Sequence, residues 1–268
     1  MWRRLRRAAG HGLERVAPGA YLALASARAR RHSQRVFAGF GCHALNEALV
    51  ARLGSRVVDG PFENLQMSRL AMRDHIGPYL LGTYEHELHA TWRAFERARF
   101  STIVDVGSRF GYYAVGLARR YPRTPVVAVD PDRWARRATR QMAAVNEAHL
   151  VRTMRRVTPG RLAAMLPESA LVVSDCEGYE RTLFCGPRIP ALRSATMVIE
   201  IHEAQSPGVG AAIAGRFAAT HDVQRIASAP ALPTASVDLS FLDADQQRLA
   251  VNELRHPQEW LVLRPRQR

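Results

Sequence analysis

Lysine is absent from this chain of 268 residues, so all 38 of its basic residues are arginine. Such a complete replacement, together with frequent alanine, is typical of GC-rich coding, and the net charge of +14 is therefore poor evidence for a nucleic-acid partner. Acidic residues are scarce in residues 1–36, which carry nine arginines and only Glu14. We expect a solvated basic arm there; the alternative is a basic helix that contacts an acidic membrane surface or partner.

Cysteines are few and long apolar runs are lacking. Cys42, Cys176 and Cys185 show no metal-ligand spacing and cannot all pair, which favours the reducing cytoplasm. No apolar run approaches the roughly 20 residues of a membrane span. A secretory signal is disfavoured because Glu14 and Pro18 separate the first arginines from a short apolar stretch.

From residue 100 onward, strand-like apolar runs alternate with helical patterns, which predicts a parallel sheet with helices on both faces. The predicted strands are 101–106, 125–130, 170–175 and 195–202, with weaker candidates at 223–226 and 260–263. The predicted helices are 111–120, 133–147, 179–185 and 209–219, preceded by two or three short helices within 1–60 and an amphipathic helix over Glu85–Arg97. We expect a basic, mainly helical extension over residues 1–75 and a doubly wound domain over 76–268.

The stretch 102–111 carries the clearest functional signal, because an apolar strand reaches Asp105 and two glycines follow. Gly107 is expected to let the backbone approach a ligand, and Gly111 to let the next helix pack on the strand. An acid inside this loop would repel a pyrophosphate and attract a cationic ligand. The loop therefore favours S-adenosylmethionine (SAM) over NAD as a cofactor.

Asp130 ends the second strand, at the distance from the glycine turn where an acid can bind both hydroxyls of a ribose. The segment Asp130-Pro131-Asp132 is also a good helix start, and the two interpretations are compatible.

Carboxylates cluster after the fourth and fifth strands, where an open sheet binds its ligands. Asp175 follows the fourth strand and is predicted to orient an acceptor or take up its proton, whereas Glu180 can simply cap the next helix. Glu200 and His202 share one face of the fifth strand, and His202 is a candidate general base or a structural histidine. Upstream, Glu85 can reach over the cofactor or substrate.

A divalent metal is a further interpretation of this cluster. Asp175, Glu177, Glu200 and His202 offer the hard oxygen ligands and the imidazole that such a metal accepts. Carboxylates this close together more often bond to backbone, so no metal is predicted.

Taken together, these segments resemble class I SAM-dependent methyltransferases, and within them the FkbM-type group, over about residues 80–265. The motifs that carry the resemblance are Leu81-Gly-Thr-Tyr-Glu85, Val104-Asp-Val-Gly-Ser-Arg-Phe-Gly-Tyr-Tyr113, Val127-Ala-Val-Asp-Pro-Asp132, Ser174-Asp-Cys-Glu-Gly-Tyr-Glu180 and Val198-Ile-Glu-Ile-His202. The resemblance implies a Rossmann-like, mostly parallel seven-stranded sheet whose last hairpin is reversed. It also implies methyl transfer from SAM to a hydroxyl of a small molecule, often a sugar or another natural product.

A hydroxyl acceptor also needs a base, for which Asp175 and His202 are the candidates. The candidate cofactor contacts are Glu85, Asp105, Gly107, Ser108, Arg109, Gly111, Tyr112, Asp130, Pro131 and Asp175. Ser108-Arg109 departs from the usual small polar pair, and its cation can pair with the SAM carboxylate or turn outward. No acid follows the third strand, near 150–158, to hold the adenine.

Three other functions are weighed against this one. A nucleic-acid methyltransferase is disfavoured because the carboxylates of Asp175 and Glu177 would repel phosphate. An NAD oxidoreductase is disfavoured by Asp105 and by the incomplete glycine pattern. A module that binds SAM or a partner without catalysis remains the third alternative.

Overall fold

The computed structural model describes residues 18–186, 190–232 and 237–266. Its described residues form a seven-stranded sheet with the order β3-β2-β1-β4-β5-β7-β6. The strands are β1 Ile103–Val106, β2 Val126–Val129, β3 Val151–Met154, β4 Leu171–Ser174, β5 Thr196–Ile201, β6 His221–Ala227 and β7 Glu259–Pro265. Strands β1 to β5 pair in parallel, whereas β7 is antiparallel to β5 and β6. The predicted doubly wound sheet with a reversed last hairpin is confirmed.

Helices cover both faces of this sheet, which is why β1, β4 and β5 are apolar at consecutive positions instead of alternating. The helices are α1 Pro18–Gly39, α2 Cys42–Leu53, α3 Gly77–Leu80, α4 His89–Ala94, α5 Tyr112–Arg120, α6 Arg133–Val145, α7 Pro159–Met165, α8 Glu180–Cys185, α9 Val209–Phe217 and α10 Ala244–Val251. Short 3-10 turns occur at Ala71–Arg73, His86–Leu88 and Pro190–Ser194.

Two hydrophobic cores lie on opposite faces of the sheet. Val104 of β1 packs in one core with Ile213 of α9, and its neighbour Ile103 packs in the other core. That second core also contains Leu49 and Leu65, which precede residue 76. The boundary between an extension and a domain at residue 75 stays a prediction, because side chains from both sides of it share this core.

The predicted strands and helices after residue 100 correspond to observed elements, and the two weak strand candidates lie inside β6 and β7. Helices α7 and α10 were not predicted, and β3 was expected only from the resemblance. The alanine, proline and serine of residues 228–237 predict a loop, and residues 233–236 of it lie outside the described residues.

Before residue 100 the structure corrects the predicted helices. The short helices expected within 1–60 are one 22-residue helix, α1, followed by the 12-residue α2. Helix α1 is long because neither glycine nor proline interrupts residues 20–38. The helix expected over Glu85–Arg97 is instead a 3-10 turn and the six-residue α4, because Glu85 adopts a left-handed backbone conformation with φ of 47°.

The solvated basic arm was expected over residues 1–36, of which residues 1–17 lie outside the described residues. Residues 18–36 instead belong to helix α1, and Arg30 pairs there with Asp132 at 2.7 Å. Within the described ranges, no helix combines the length and the apolarity that crossing a bilayer requires.

Candidate functional site

A cavity of about 670 Å³ opens at the carboxyl ends of β1, β2, β4 and β5. It brings together the four predicted segments, because Gly107, Asp130, Asp175 and His202 all line it. Helix α1 forms another wall through Val36 and Phe37, and residues 253–258 contribute from the loop before β7. After β3, where no acid was found, the lining residues are Arg155, Arg156 and Val157.

The two glycines of the turn each make room for another part of the chain. Both have φ of 90°. A Cβ at Gly107 would lie 1.5 Å from the carbonyl oxygen of Asp175, so the turn permits a close approach of the chain after β4, and the predicted approach of a ligand to Gly107 stays a prediction. A Cβ at Gly111 would lie 2.9 Å from Cγ2 of Thr139 in α6, so Gly111 allows contact between two helices rather than between helix and strand.

Asp130 faces the cavity with a carboxylate that is only partly satisfied. Its two oxygens accept the backbone N–H of Arg109 at 3.0 Å and that of Asp132 at 2.7 Å, and each oxygen keeps a second lone pair. Burial raises the pKa of Asp130 to about 6. The helix cap belongs to Asp132, which accepts the N–H of Trp134 at 2.9 Å, so Asp130 is free for a ligand.

Arg109 has a partner within the protein. Its Nη2 and Nε donate to the two carboxylate oxygens of Asp74 at 2.7 and 2.9 Å, and its Nη1 donates to the hydroxyl of Tyr79 at 3.1 Å. The guanidinium lines the cavity instead of turning outward, which was one of the two predicted orientations, and its pairing with the SAM carboxylate stays a prediction. Asp74 was missed because nothing in the sequence links it to Arg109.

Asp105 and Glu85 lie beneath the cavity wall rather than among its lining residues. Asp105 is 3% exposed, and burial together with the charge of Asp175 raises its pKa to about 8. The carboxyl is therefore neutral at pH 7, so the anionic character of the cavity comes from Asp130 and Asp175 instead. Glu85 is fully buried, accepts the hydroxyl of Tyr113 and contacts Arg255 at 3.1 Å.

The three other predicted cofactor contacts are Pro131, Ser108 and Tyr112, and they differ in their position relative to the cavity. Pro131 lines the cavity. Ser108 is 5% exposed, and its hydroxyl has no hydrogen-bond partner within the described chain. Tyr112 is 4% exposed and packs edge-on against Tyr79 and Phe62, with ring centroids 5.0 and 5.2 Å apart.

His202 is the centre of the acidic cluster predicted after β4 and β5. Its Nδ1 lies 2.7 Å from Oε1 of Glu180, and both residues are at most 1% exposed. Its Nε2 faces three more carboxylates, with oxygens of Asp175 at 3.4 Å and of Glu177 and Glu200 at 3.6 Å each. The sequence analysis treated Glu180 as a simple helix cap, whereas the structure gives its carboxylate to His202.

The turn after β4 makes this convergence possible. Glu177 and Gly178 are both left-handed, with φ of 53° and 101°, so the chain reverses immediately after the strand. A Cβ at Gly178 would lie 2.8 Å from Cβ of Gln205, which excludes a larger residue there. The reversal brings carboxylates from both arms of the turn to the same imidazole.

Electrostatics set the protonation of this cluster. Burial alone would lower the pKa of His202, but the bond to Glu180 and the neighbouring carboxylates outweigh it and raise the pKa. Burial would raise the pKa of Glu180, yet its bond to His202 lowers the value, so Glu180 is ionised. An imidazole with one nitrogen fixed and the other facing the cavity suits a general base or a metal ligand.

Arg255 is a residue of the site that the sequence analysis missed. Its Nη1 lies 2.5 Å from Oε1 of Glu200, its Nε lies 2.7 Å from Glu253, and its guanidinium stands 5.7 Å above the ring of Tyr84. It anchors the loop before β7 to the end of β5. No local pattern distinguishes Arg255 from the other arginines.

No family model and no curated protein sequence matches the chain. Several solved structures that match are methyltransferases or rRNA methylases, at identities of 8–16%. The precorrin-6Y C5,15-methyltransferase of Geobacter metallireducens is 10% identical, over 65% of this chain and 85% of its own, with a TM-score of 0.45. An rRNA methylase of Streptococcus thermophilus is 12% identical over 66% and 96%, with a TM-score of 0.45.

The O-methyltransferase TomG of Streptomyces achromogenes, solved in complex with SAM, is 16% identical over 69% of this chain and 81% of its own, with a TM-score of 0.43. At these identities and TM-scores, any conclusion about function depends on the geometry of the site itself.

Proposed function

We propose that this chain is a SAM-dependent methyltransferase that methylates a hydroxyl group of a small molecule. The observation that carries the proposal is one cavity lined by the glycine turn, by Asp130 and by the Asp175–His202 cluster. Its volume of about 670 Å³ suits a nucleoside-sized cofactor together with a small acceptor.

Asp130 and Pro131 would hold the ribose, because the Asp130 carboxylate keeps lone pairs that point to no described donor. SAM is a cation at its sulfur, and the carboxylates of Asp175 and Glu177 on the cavity wall favour a cation there. Oδ1 of Asp175 is buried without a hydrogen-bond partner among the described residues, so a ligand donor would satisfy it.

When bound, SAM supplies a methyl group whose transfer to oxygen leaves a neutral thioether, and a dry cavity favours this loss of charge. The protein's main contribution is alignment, because acceptor and donor must meet in line. The acceptor hydroxyl must also lose its proton. We assign the handling of that hydroxyl to Asp175 and His202, which face the cavity from the ends of β4 and β5.

The acceptor that fits best is a small molecule, for which sugars and other natural-product scaffolds are the first candidates. The carboxylates at the cavity wall oppose a phosphate backbone, and α1 adds the apolar side chain of Phe37 to the lining. The turn sequence Asp175-Cys-Glu-Gly-Tyr-Glu180 supports placement in the FkbM-type group.

Two measurements test the proposal. Calorimetry with S-adenosylhomocysteine should show binding to the purified chain. Incubation with SAM and a panel of glycans, polyketides and small phenols should yield a product that is heavier by one methyl group in mass spectra. A chain that binds neither SAM nor S-adenosylhomocysteine would refute the proposed function.

A further inference from the structure

More carboxylates surround Nε2 of His202 than a general base and one orienting partner require. Single ligand atoms of Asp175, Glu200 and His202 all lie within 4.8 Å of one another. The sequence analysis expected these carboxylates to bond to backbone, and so predicted no metal. In the structure, three carboxylates point at the same nitrogen instead.

Glu180 determines which nitrogen of His202 is available. Nδ1 of His202 lies 2.7 Å from Oε1 of Glu180, a hydrogen-bond distance at which the carboxylate accepts the Nδ1 proton. Nε2 can then present its lone pair to the cavity. A carboxylate that holds the far nitrogen of an imidazole is the usual support of a metal-bound histidine, because it fixes the tautomer and the ring orientation.

The distances at Nε2 fit ligands around a cation better than hydrogen bonds. The three separations of 3.4, 3.6 and 3.6 Å exceed the roughly 2.7–3.2 Å of an N–H···O bond. Metal–ligand bonds of about 2.1 Å place neighbouring ligands about 3.0–3.4 Å apart, so the separation from Asp175 fits this range and the two of 3.6 Å are slightly longer. Oδ1 of Asp175, the closest of the three oxygens, is also the buried one that lacks a partner in the described chain.

The charges of the surrounding side chains also favour a cation beside His202. Four carboxylates surround one imidazole, those of Asp175, Glu177, Glu180 and Glu200. Arg255 contacts one oxygen of Glu200 at 2.5 Å, and the other oxygen faces His202. Carboxylates crowded this closely repel one another when they are ionised, and a divalent ion would offset that repulsion.

We propose that Asp175, Glu200 and His202 bind a divalent cation, with the exposed Glu177 as a further ligand. Carboxylate oxygens with a single imidazole favour Mn²⁺ or Mg²⁺ over softer metals. These residues would bind the cation whether or not SAM is present. A role of the cation in catalysis rests on the proposed methyl transfer.

In that use, the cation holds the acceptor hydroxyl beside the cofactor and lowers its pKa. His202 is then a ligand rather than a base. The proton leaves the hydroxyl for the oxygen of Glu177 that does not bind the cation, and this side chain, which is 77% exposed, can pass it to water.

The direct test is titration of Mn²⁺ into the chelator-treated full chain without SAM, with the loss of the free Mn²⁺ electron paramagnetic resonance signal as the readout. We expect one tight equivalent. His202→Ala and Glu200→Gln should weaken binding at least tenfold, and Glu177→Gln several-fold. His256→Ala, an exposed residue of the same cavity wall, should leave binding unchanged.

Calorimetry with S-adenosylhomocysteine on the same samples reports whether each variant keeps its cavity. Glu177→Gln changes an exposed side chain and should fold in any case. Absence of Mn²⁺ binding, or equal binding by all variants, overturns the metal site and leaves the methyltransferase proposal intact. Tight Mn²⁺ binding without any S-adenosylhomocysteine binding overturns the proposed function and leaves the metal site intact.

Discussion

Gly107 and Asp175 are in backbone contact: a Cβ at Gly107 would lie 1.5 Å from the carbonyl oxygen of Asp175. The glycine turn after β1 and the acidic turn after β4 therefore hold each other in place. This contact therefore connects the part of the cavity assigned to the cofactor with the part assigned to the acceptor.

We predict that Gly107→Ala destabilises the chain by about 2–4 kcal/mol, because the methyl group clashes with Asp175 and the backbone has φ of 90°. Gly160→Ala is the matched control, since its Cβ meets nothing within 4 Å among the described atoms and lies in the first turn of α7. The control should be neutral or slightly stabilising. Urea unfolding measures both, and equal midpoints would contradict the contact.

Asp130→Ala should weaken S-adenosylhomocysteine binding at least tenfold in calorimetry, corresponding to about 1.5–3 kcal/mol for hydrogen bonds to a charged group. Asp222→Ala, which removes an exposed carboxylate on β6 that pairs with Arg266, is the control and should bind as the wild type does. An Asp130 variant with unchanged affinity would remove the ribose assignment.

Asp175→Asn should reduce turnover strongly while S-adenosylhomocysteine affinity stays near the wild-type value. The substitution keeps the shape of the side chain but removes the charge that faces His202 at 3.4 Å. Single-turnover kinetics with an identified acceptor, alongside calorimetry, separate the two effects. If turnover persists, the acceptor hydroxyl is handled by another group.

The stability of the chain should depend on pH through Asp105. Burial and the charge of Asp175 raise the pKa of Asp105 from 3.8 to about 8. For an acid whose pKa is higher in the folded state, the stabilising contribution is complete below the ordinary pKa and is lost as pH rises through the folded value.

Asp105→Asn should therefore increase the free energy of unfolding more at about pH 9 than at about pH 5, by roughly 1–3 kcal/mol. Urea titrations of the metal-free chain at both pH values measure the difference. A gain that is the same at both would show that Asp105 titrates normally.

The local sequence pattern was sufficient to predict the central strands and the position of the site at one edge of the sheet. Apolar runs that end in an acid mark the carboxyl ends of β1, β2 and β4, so Asp105, Asp130 and Asp175 could be placed at one edge of the sheet. The orientation of each acid was not predictable. Asp105 points into the buried interior and Asp130 into the cavity, a difference that depends on the helices packed on each face.

The pairs that organise the site could not be read from the sequence, because they join distant segments. Glu180 and His202 are 22 residues apart, and Arg255 and Glu200 are 55 apart. Helical or strand periodicity relates only near neighbours. The repeated carboxylates after β4 were the one available signal, and they showed that a cluster exists without showing its centre.

Arg255→Met provides the sharpest test of this long-range network. The variant removes the hydrogen-bond donors that lie against the buried carboxyl groups of Glu85 and Glu200, so we expect a loss of about 1–3 kcal/mol in the free energy of unfolding. Adding Glu200→Gln to Arg255→Met should recover part of that loss, because the buried carboxyl group that lost its donor is replaced by an amide. Urea unfolding of the wild type, both single variants and the double variant completes the cycle. Strictly additive effects would mean that Arg255 and Glu200 do not interact, and the anchoring of the loop before β7 would need another explanation.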